Sequence, residues 1–217
     1  MLGKKEGSQM DDTKVGSSES RATFLARLEP IVSPGRLIDI DGAYTFAKYV
    51  HRAQKRKEIN PDGTQVRYFE HPRRVALILI DVAEIVDPSM VIAALLHDTV
   101  EDSDALSPAA IERFWGSDVA QFVKLLSKIP AEGYVERLKK YGNWEVILIK
   151  ACDRLDNIRS LRPEYVSAEF RERQIKETKE KYYPLFQHML DHLVPETHRV
   201  GAQKVVSEII QLCEAAL

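Results

Sequence analysis

Residues 93–102 read Ala-Ala-Leu-Leu-His-Asp-Thr-Val-Glu-Asp, and this stretch decides how the rest of the chain is interpreted. An apolar helical run ends in a dense set of ionisable groups. Burying imidazole and carboxylate groups beside alanine and leucine is unfavourable unless something compensates their charge or polarity. A metal ion is the simplest compensation, so His97 and Asp98 are candidate metal ligands.

Two further candidate ligands lie in other parts of the chain. His71 precedes Pro72, and Asp153 follows a second apolar helical run. With His97 and Asp98 they form a set of two imidazoles and two carboxylates. Mixed nitrogen and oxygen ligation with open positions favours Mn²⁺, followed by Fe, Co, Zn and Mg, over a closed structural zinc site. Taken singly, His71 would be interpreted as the first residue of a helix and Asp153 as part of a salt bridge on a helix surface. The prediction of a metal site therefore depends on all four residues together.

Bulk composition narrows the class of protein. The chain has 217 residues, of which 44% are apolar and 29% charged, with a formal charge of −2. These values fit one globular domain and give no support to nucleic-acid or membrane binding. No apolar run reaches the length of a membrane span, and no signal peptide is evident. Cys152 and Cys213 form no metal-binding pattern, which favours free thiols in a cytoplasmic protein.

Helical periodicity dominates the chain after a polar N-terminus. Residues 1–24 are interpreted as a disordered tail, and residues 25–217 as a single all-α domain. The predicted helices include residues 41–56, 108–116, 118–129, 144–161, 168–193 and 198–216, with two more starting near residues 71 and 88. Pro184 should kink or break the helix that contains it.

The region between the first two predicted helices carries a turn signal. Asn60-Pro61-Asp62-Gly63 predicts a turn, and residues 66–68 predict at most a short extended piece.

Two carboxylates beyond the His-Asp pair could activate water. On a continuous helix, Glu101 follows His97 by four residues and Asp102 follows Asp98 by four, so each would lie near the same face. A divalent ion acidifies bound water and polarises phosphoryl oxygen. Glu101 or Asp102 could then orient or deprotonate the attacking water, although Glu101-Asp102 alone would be a solvated helix end.

Five segments in order resemble the HD-domain metal-dependent phosphohydrolases. Within them the chain is similar to the hydrolase domain of RelA/SpoT-type alarmone enzymes, especially the stand-alone small alarmone hydrolases. The segments are residues 47–57, 68–76, 93–102, 150–161 and 177–185. The fourth matches the pattern Lys-x-x-Asp-Arg-Leu-x-Asn-x-Arg-x-Leu. The resemblance covers about residues 40–186 and implies a helical HD-domain bundle.

The resemblance also implies three groups of site residues. The Mn²⁺ ligands are His71, His97, Asp98 and Asp153. The residues that position and activate water are Glu101 and Asp102. The residues that contact the guanine base, a nearby phosphate or the rest of the nucleotide are Arg56, Lys57, Asn157 and Ser160. The implied reaction is hydrolysis of the 3′-pyrophosphate of ppGpp or pppGpp, which gives pyrophosphate and GDP or GTP.

Departures from the family pattern keep alternatives open. Arg67 stands where the family usually has proline, and the loop over residues 58–66 is longer than the common turn. The chain could therefore be an HD phosphohydrolase acting on another nucleotide, such as ppApp, a deoxynucleotide or NADPH, or a catalytically silent nucleotide-binding module. About 55 residues follow Arg162 and are predicted to be helical, so hydrolysis without synthesis is expected. Whether the chain forms a homo-oligomer is left open.

Overall fold

The computed structural model describes residues 20–101 and 107–216, and helices make up most of this part. The α-helices are α1 (Arg21–Leu28), α2 (Pro34–Val50), α3 (Glu70–Asp81), α4 (Pro88–Leu96), α5 (Pro108–Trp115), α6 (Ser117–Leu126), α7 (Tyr134–Tyr141), α8 (Trp144–Arg159), α9 (Ala168–Glu177), α10 (Tyr183–His192) and α11 (Glu196–Ala215). A 3₁₀ turn covers His51–Ala53, a π-helical segment covers Thr178–Tyr182, and two strands are β1 (Lys55–Ile59) and β2 (Gln65–Arg67). The predicted all-α class is confirmed, with one small hairpin added.

Helices α4 and α8 lie at the centre of the bundle. All residues of α4 from Met90 to Leu96 are buried, and α8 is buried from Val146 to Asp156. Helix α8 packs against α3, α4, α6, α10 and α11. A helix that is enclosed on all sides carries its polar residues into the interior as well. No helix within the described ranges combines the length and apolar character needed to span a membrane.

The predicted helix starts at prolines are confirmed. Asp87 accepts a hydrogen bond from the backbone N–H of Met90 at 2.9 Å, and Pro88 occupies the first turn of α4. Ser107 caps α5 in the same way, by accepting from Ala110 N at 3.2 Å. These acceptors satisfy N–H groups that have no partner within the helix, and proline has no N–H to satisfy. The break predicted at Pro184 is present as the π-helical segment directly before α10.

The helix predicted over residues 41–56 is wrong at both ends. Helix α2 starts at Pro34 and ends at Val50, and β1 pairs antiparallel with β2, with Lys55 opposite Arg67. The turn chemistry between the strands decides the outcome. Asp62 accepts hydrogen bonds from both the N–H and the hydroxyl of Thr64, and Gly63 has a φ of 82° that favours glycine. Tertiary contacts of the hairpin then override the helical preference of its lysine, arginine and glutamate residues.

Two helices were not predicted from the sequence. Helix α1 buries Phe24 and Leu28, and α7 buries Tyr134 and Leu138. Each has only two buried positions in eight residues. Two apolar positions are too few to show helical periodicity in the sequence. The predicted boundary between tail and domain, at residue 24, falls inside α1; residues 1–19 lie outside the described ranges.

A close approach between α11 and the chain after α3 requires glycine. A Cβ at Gly201 would lie 1.9 Å from the carbonyl oxygen of Ala83. Gly201→Ala should therefore lower the free energy of unfolding by about 1–3 kcal/mol, the range for overpacking a dense interior. At Gly35, in α2, a Cβ would meet nothing within 4 Å, so Gly35→Ala is the matched control. Chemical denaturation of both variants checks this, and equal stability of the two would contradict it.

Candidate metal centre and nucleotide site

The four predicted metal ligands lie in or directly after three helices and converge on one point. His71 lies in the first turn of α3, His97 and Asp98 directly follow α4, and Asp153 lies in α8. Ligand atoms of His71, His97 and Asp153 all lie within 4.8 Å of one another, and these residues are buried. The oxygen Oδ1 of Asp153 is 3.1 Å from Nε2 of His71 and 3.9 Å from Nε2 of His97.

Asp98 completes the set from the side of the loop after α4. Its Oδ2 lies 3.1 Å from Nε2 of His97 and 3.6 Å from Nε2 of His71. The same oxygen accepts a hydrogen bond from the hydroxyl of Tyr68 at 2.7 Å. The structure therefore gathers two imidazole nitrogens and two carboxylates around a common position.

The donor set fits a divalent cation. Nδ1 of His97 lies 2.8 Å from the carbonyl oxygen of Ala94, which can only accept, so Nδ1 carries a hydrogen and Nε2 faces the carboxylates. Nε2 of His97 is buried and makes no hydrogen bond. A buried nitrogen of this kind beside two carboxylates is the arrangement that an ion of open coordination satisfies.

The pKa shifts of these residues reflect the same crowding. Burial alone lowers the pKa of His97, but the carboxylates of Asp98 and Asp153 outweigh it and raise the pKa to about 9. Burial alone raises the pKa of Asp153, but the Lys150 ammonium, with His71 and His97, holds it well below its usual range. The raised pKa of His97 shows that this position favours positive charge, which a bound divalent ion would supply.

Two residues that the sequence analysis does not select, Lys150 and Asp156, contact the predicted ligands, and so does Asn157, which it assigns to the nucleotide. Lys150 donates from Nζ to Oδ2 of Asp153 at 2.5 Å, and its side chain is buried. Asn157 donates to Oδ1 of Asp153 at 2.6 Å, and Asp156 lies 2.7 Å from Nδ1 of His71. The spacing of residues 150, 153, 156 and 157, which places them on neighbouring turns of one helix, was the signal that could have revealed them.

Glu101, one of the two predicted water-activating residues, does not lie on a continuation of α4. Helix α4 ends at Leu96, and residues 97–101 form turns, so the expected helical spacing between His97 and Glu101 is wrong. The Glu101 side chain accepts a hydrogen bond from the backbone N–H of Lys128, with 2.5 Å between Oε1 and N. The N–H and the hydroxyl of Thr99 both donate to the carbonyl oxygen of Leu96, at 2.9 and 2.6 Å, and α4 ends in this tighter turn. Asp102 lies outside the described residues.

Three of the four predicted nucleotide-binding residues lie together. Nη2 of Arg56 is 3.3 Å from Oδ1 of Asn157 and 3.3 Å from Oγ of Ser160. Asn157 also touches Asp153, so this group adjoins the metal ligands. Arg56 is only 12% exposed, because its Nε donates to Glu58 at 2.8 Å.

Lys57 is not part of this group. Neighbouring residues on a strand face opposite sides, and Nζ of Lys57 lies 3.8 Å from the ring centroid of Phe170 in α9. The helix predicted over residues 41–56 would end at Arg56, with Lys57 directly after it. In the structure both residues lie in β1, and their side chains face opposite sides of the strand.

Comparisons with known proteins agree with the geometry. The sequence model described as HD domain matches residues 43–191 of the chain. A guanosine-3′,5′-bis(diphosphate) 3′-pyrophosphohydrolase of Aquifex aeolicus (strain VF5) is 37% identical over 194 residues, which is 84% of this chain and 25% of that protein. A GTP pyrophosphokinase of Streptomyces coelicolor is 31% identical over 199 residues, which is 87% of this chain and 21% of that protein. The chain thus spans a quarter or less of the length of these relatives.

A solved structure shares the fold. It is that of a metazoan ortholog of SpoT, a protein described as hydrolysing ppGpp. The TM-score is 0.62 at 24% sequence identity, and the match covers 82% of this chain and 94% of the other.

Proposed function

This chain belongs to the HD-domain family, as its five segments predicted, and on that premise we propose that it hydrolyses the 3′-pyrophosphate of ppGpp or pppGpp. The observation that carries the proposal is the adjacency of the four-ligand cluster and the Arg56–Asn157–Ser160 group. One helix, α8, supplies residues to both. A nucleotide bound along α8 can therefore reach the ion with a phosphate while its base lies near Arg56.

His71, His97, Asp98 and Asp153 would hold the ion, which we propose is Mn²⁺. When bound, the ion acidifies water and polarises the phosphoryl oxygen. Glu101 accepts the proton of the attacking water. The water oxygen forms a bond to the phosphorus attached to O3′ of the ribose, the bond from phosphorus to O3′ breaks, and O3′ takes up a proton. The products are intact pyrophosphate and GDP or GTP.

The direct test uses purified protein loaded with Mn²⁺ and incubated with ppGpp in ¹⁸O-labelled water. Chromatography should show GDP and pyrophosphate in equal amounts, and mass spectrometry should find the label in pyrophosphate. Stepwise release of single phosphates would contradict the proposal. So would the absence of ppGpp cleavage by folded protein that carries the ion.

A second candidate is hydrolysis of another nucleotide by the same centre. The hairpin of β1 and β2 supports this second candidate. The hairpin places Arg56 on a strand and separates Lys57 from the proposed base-binding group. Parallel assays with ppApp, deoxynucleoside triphosphates and NADPH decide between the two.

Arg56→Ala should raise KM for ppGpp by about tenfold, with a smaller change in kcat. A guanidinium that binds the nucleotide equally in the ground and transition states contributes mainly to KM. Elemental analysis should find the ion retained, since Arg56 is not a ligand. Lys55→Ala removes an exposed charge from the same strand and is the matched control. Equal KM values for the two variants would remove Arg56 from the proposed nucleotide site.

A further inference from the structure

We propose that Asp156 is a positioning residue that holds the metal ligand His71 and the nucleotide-binding Arg56 in a fixed relation. The family pattern of the α8 segment leaves this position unspecified, and Asp156 is neither a predicted ion ligand nor a predicted nucleotide contact. It is nevertheless only 2% exposed, and its Oδ2 lies 2.7 Å from Nδ1 of His71 and 3.8 Å from Nη2 of Arg56. The inference on Arg56 rests on the proposed function, whereas the inference on His71 stands without it.

The contact with His71 fixes the state of the imidazole ring. Oδ2 of Asp156 is 2.7 Å from Nδ1 of His71. A carboxylate accepts, so Nδ1 carries a hydrogen, and Nε2 is the nitrogen that faces Oδ1 of Asp153, 3.1 Å away, where an ion would bind. A carboxylate behind a ligating histidine both orients the ring and raises its basicity.

The contacts on the other side lead to Arg56. Arg74 donates from Nε to Oδ1 of Asp156 at 2.5 Å and from Nη2 to Oδ2 at 3.1 Å. Nη2 of Arg74 also donates to Oε2 of Glu58 at 3.1 Å, and this oxygen accepts from Nε of Arg56 at 2.8 Å. Glu58 is 2% exposed. The chain of contacts His71–Asp156–Arg74–Glu58–Arg56 is therefore continuous.

Both oxygens of Asp156 face N–H donors, and this makes asparagine an informative replacement. An amide at position 156 has one acceptor oxygen, so its NH₂ must point either at Nε of Arg74 or at Nδ1 of His71. In the first case two donors oppose each other. In the second case the amide donates to Nδ1, which moves the imidazole hydrogen to Nε2 and removes the ligating lone pair.

Asp156→Asn should weaken Mn²⁺ binding by about 10- to 100-fold, the usual range for loss of such a partner. The dissociation constant is measured without nucleotide, from the electron paramagnetic resonance signal of free Mn²⁺. In the activity assay, KM for ppGpp should rise as well, because Arg74 and Glu58 no longer hold Arg56. Glu208→Gln is the matched control: Glu208 forms a two-point pair with Arg159 at 2.7 and 2.8 Å, away from the ion ligands.

Wild-type affinity for Mn²⁺ in folded Asp156→Asn would overturn the proposal, as would an equal loss in Glu208→Gln. If Asp156→Asn does not fold, the contact between Asp156 and His71 is tested by nuclear magnetic resonance of the wild-type protein, with Zn²⁺ in place of Mn²⁺. The Nδ1 hydrogen of His71 should give a downfield, slowly exchanging signal, and its absence would also overturn the proposal. Because the ion measurements contain no nucleotide, their failure is distinguishable from the failure of the proposed hydrolysis.

Discussion

Asp153→Ala is expected to abolish ion binding and, with it, hydrolytic activity. Oδ1 of Asp153 lies 3.1 Å from Nε2 of His71 and 3.9 Å from Nε2 of His97, so this one oxygen faces both imidazoles. Its removal leaves two histidines and Asp98, which hold the ion less tightly and in a different geometry. Elemental analysis after gel filtration checks the first effect, and an assay with added Mn²⁺ checks the second. Full metal occupancy in the variant would contradict the assignment of Asp153 as a ligand.

The same substitution should also destabilise the metal-free protein. Lys150 is only 2% exposed, and its ammonium lies 2.5 Å from Asp153. Leaving a buried charge without its partner typically costs about 3–5 kcal/mol, whereas replacing both partners with apolar groups is often neutral. The double variant Asp153→Ala/Lys150→Met should therefore recover most of the stability but none of the ion binding. Denaturation in the presence of a chelator separates the two effects. If Asp153→Ala is as stable as the wild-type protein, another negatively charged group must compensate the ammonium of Lys150.

Glu101→Gln is expected to lower turnover by about 10²-fold or more while the ion stays bound. This is the loss expected when a general base is removed. The fold should survive, because the carbonyl oxygen of glutamine can still accept the hydrogen bond from Lys128 N. Steady-state kinetics together with metal analysis test the prediction. Glu112→Gln, an exposed acid on α5, is the control for loss of a negative charge.

Turnover near wild type in ion-loaded Glu101→Gln would show that another group activates the water. Asp102 is then the next candidate. Its role stays a prediction from the sequence.

Many helix boundaries could be predicted from the chemistry of neighbouring residues in the sequence. Pro88 after Asp87 and Pro108 after Ser107 mark helix starts because a capping side chain and a missing N–H both suit the first turn. The hairpin could not be read this way. Lys55, Arg56 and Lys57 have ordinary helical preferences, and what holds them in a strand is the pairing with residues 65–67 and the ion pairs of Arg56 and Glu58.

The cluster of the four predicted ligands could be found from the sequence because imidazole and carboxylate groups are unusual in an apolar context. His97 beside a buried Ala-Leu run needs compensation wherever it lies, so its importance is visible without coordinates. The supporting residues were less visible. Lys150 and Asp156 look like ordinary charged positions on a helix, and only the packing of α8 on all sides shows that they are interior. Lys57 lies apart from Arg56 because both residues are in a strand and not at a helix end, and its contact with a nucleotide stays a prediction.

Under the proposed function, helix α8 also fixes the distance that the nucleotide must span. Asp153 and Ser160 are seven residues apart, so at 1.5 Å per residue they lie about 10 Å apart along the helix axis. Because both are fixed to α8, this span cannot adjust to a shorter molecule. A phosphate alone could occupy the proposed ion site but could not also contact Ser160. A nucleoside that carries its phosphate on the ribose could reach both positions at once, so under this proposal the length of the molecule becomes a criterion of selection that does not depend on which base it carries.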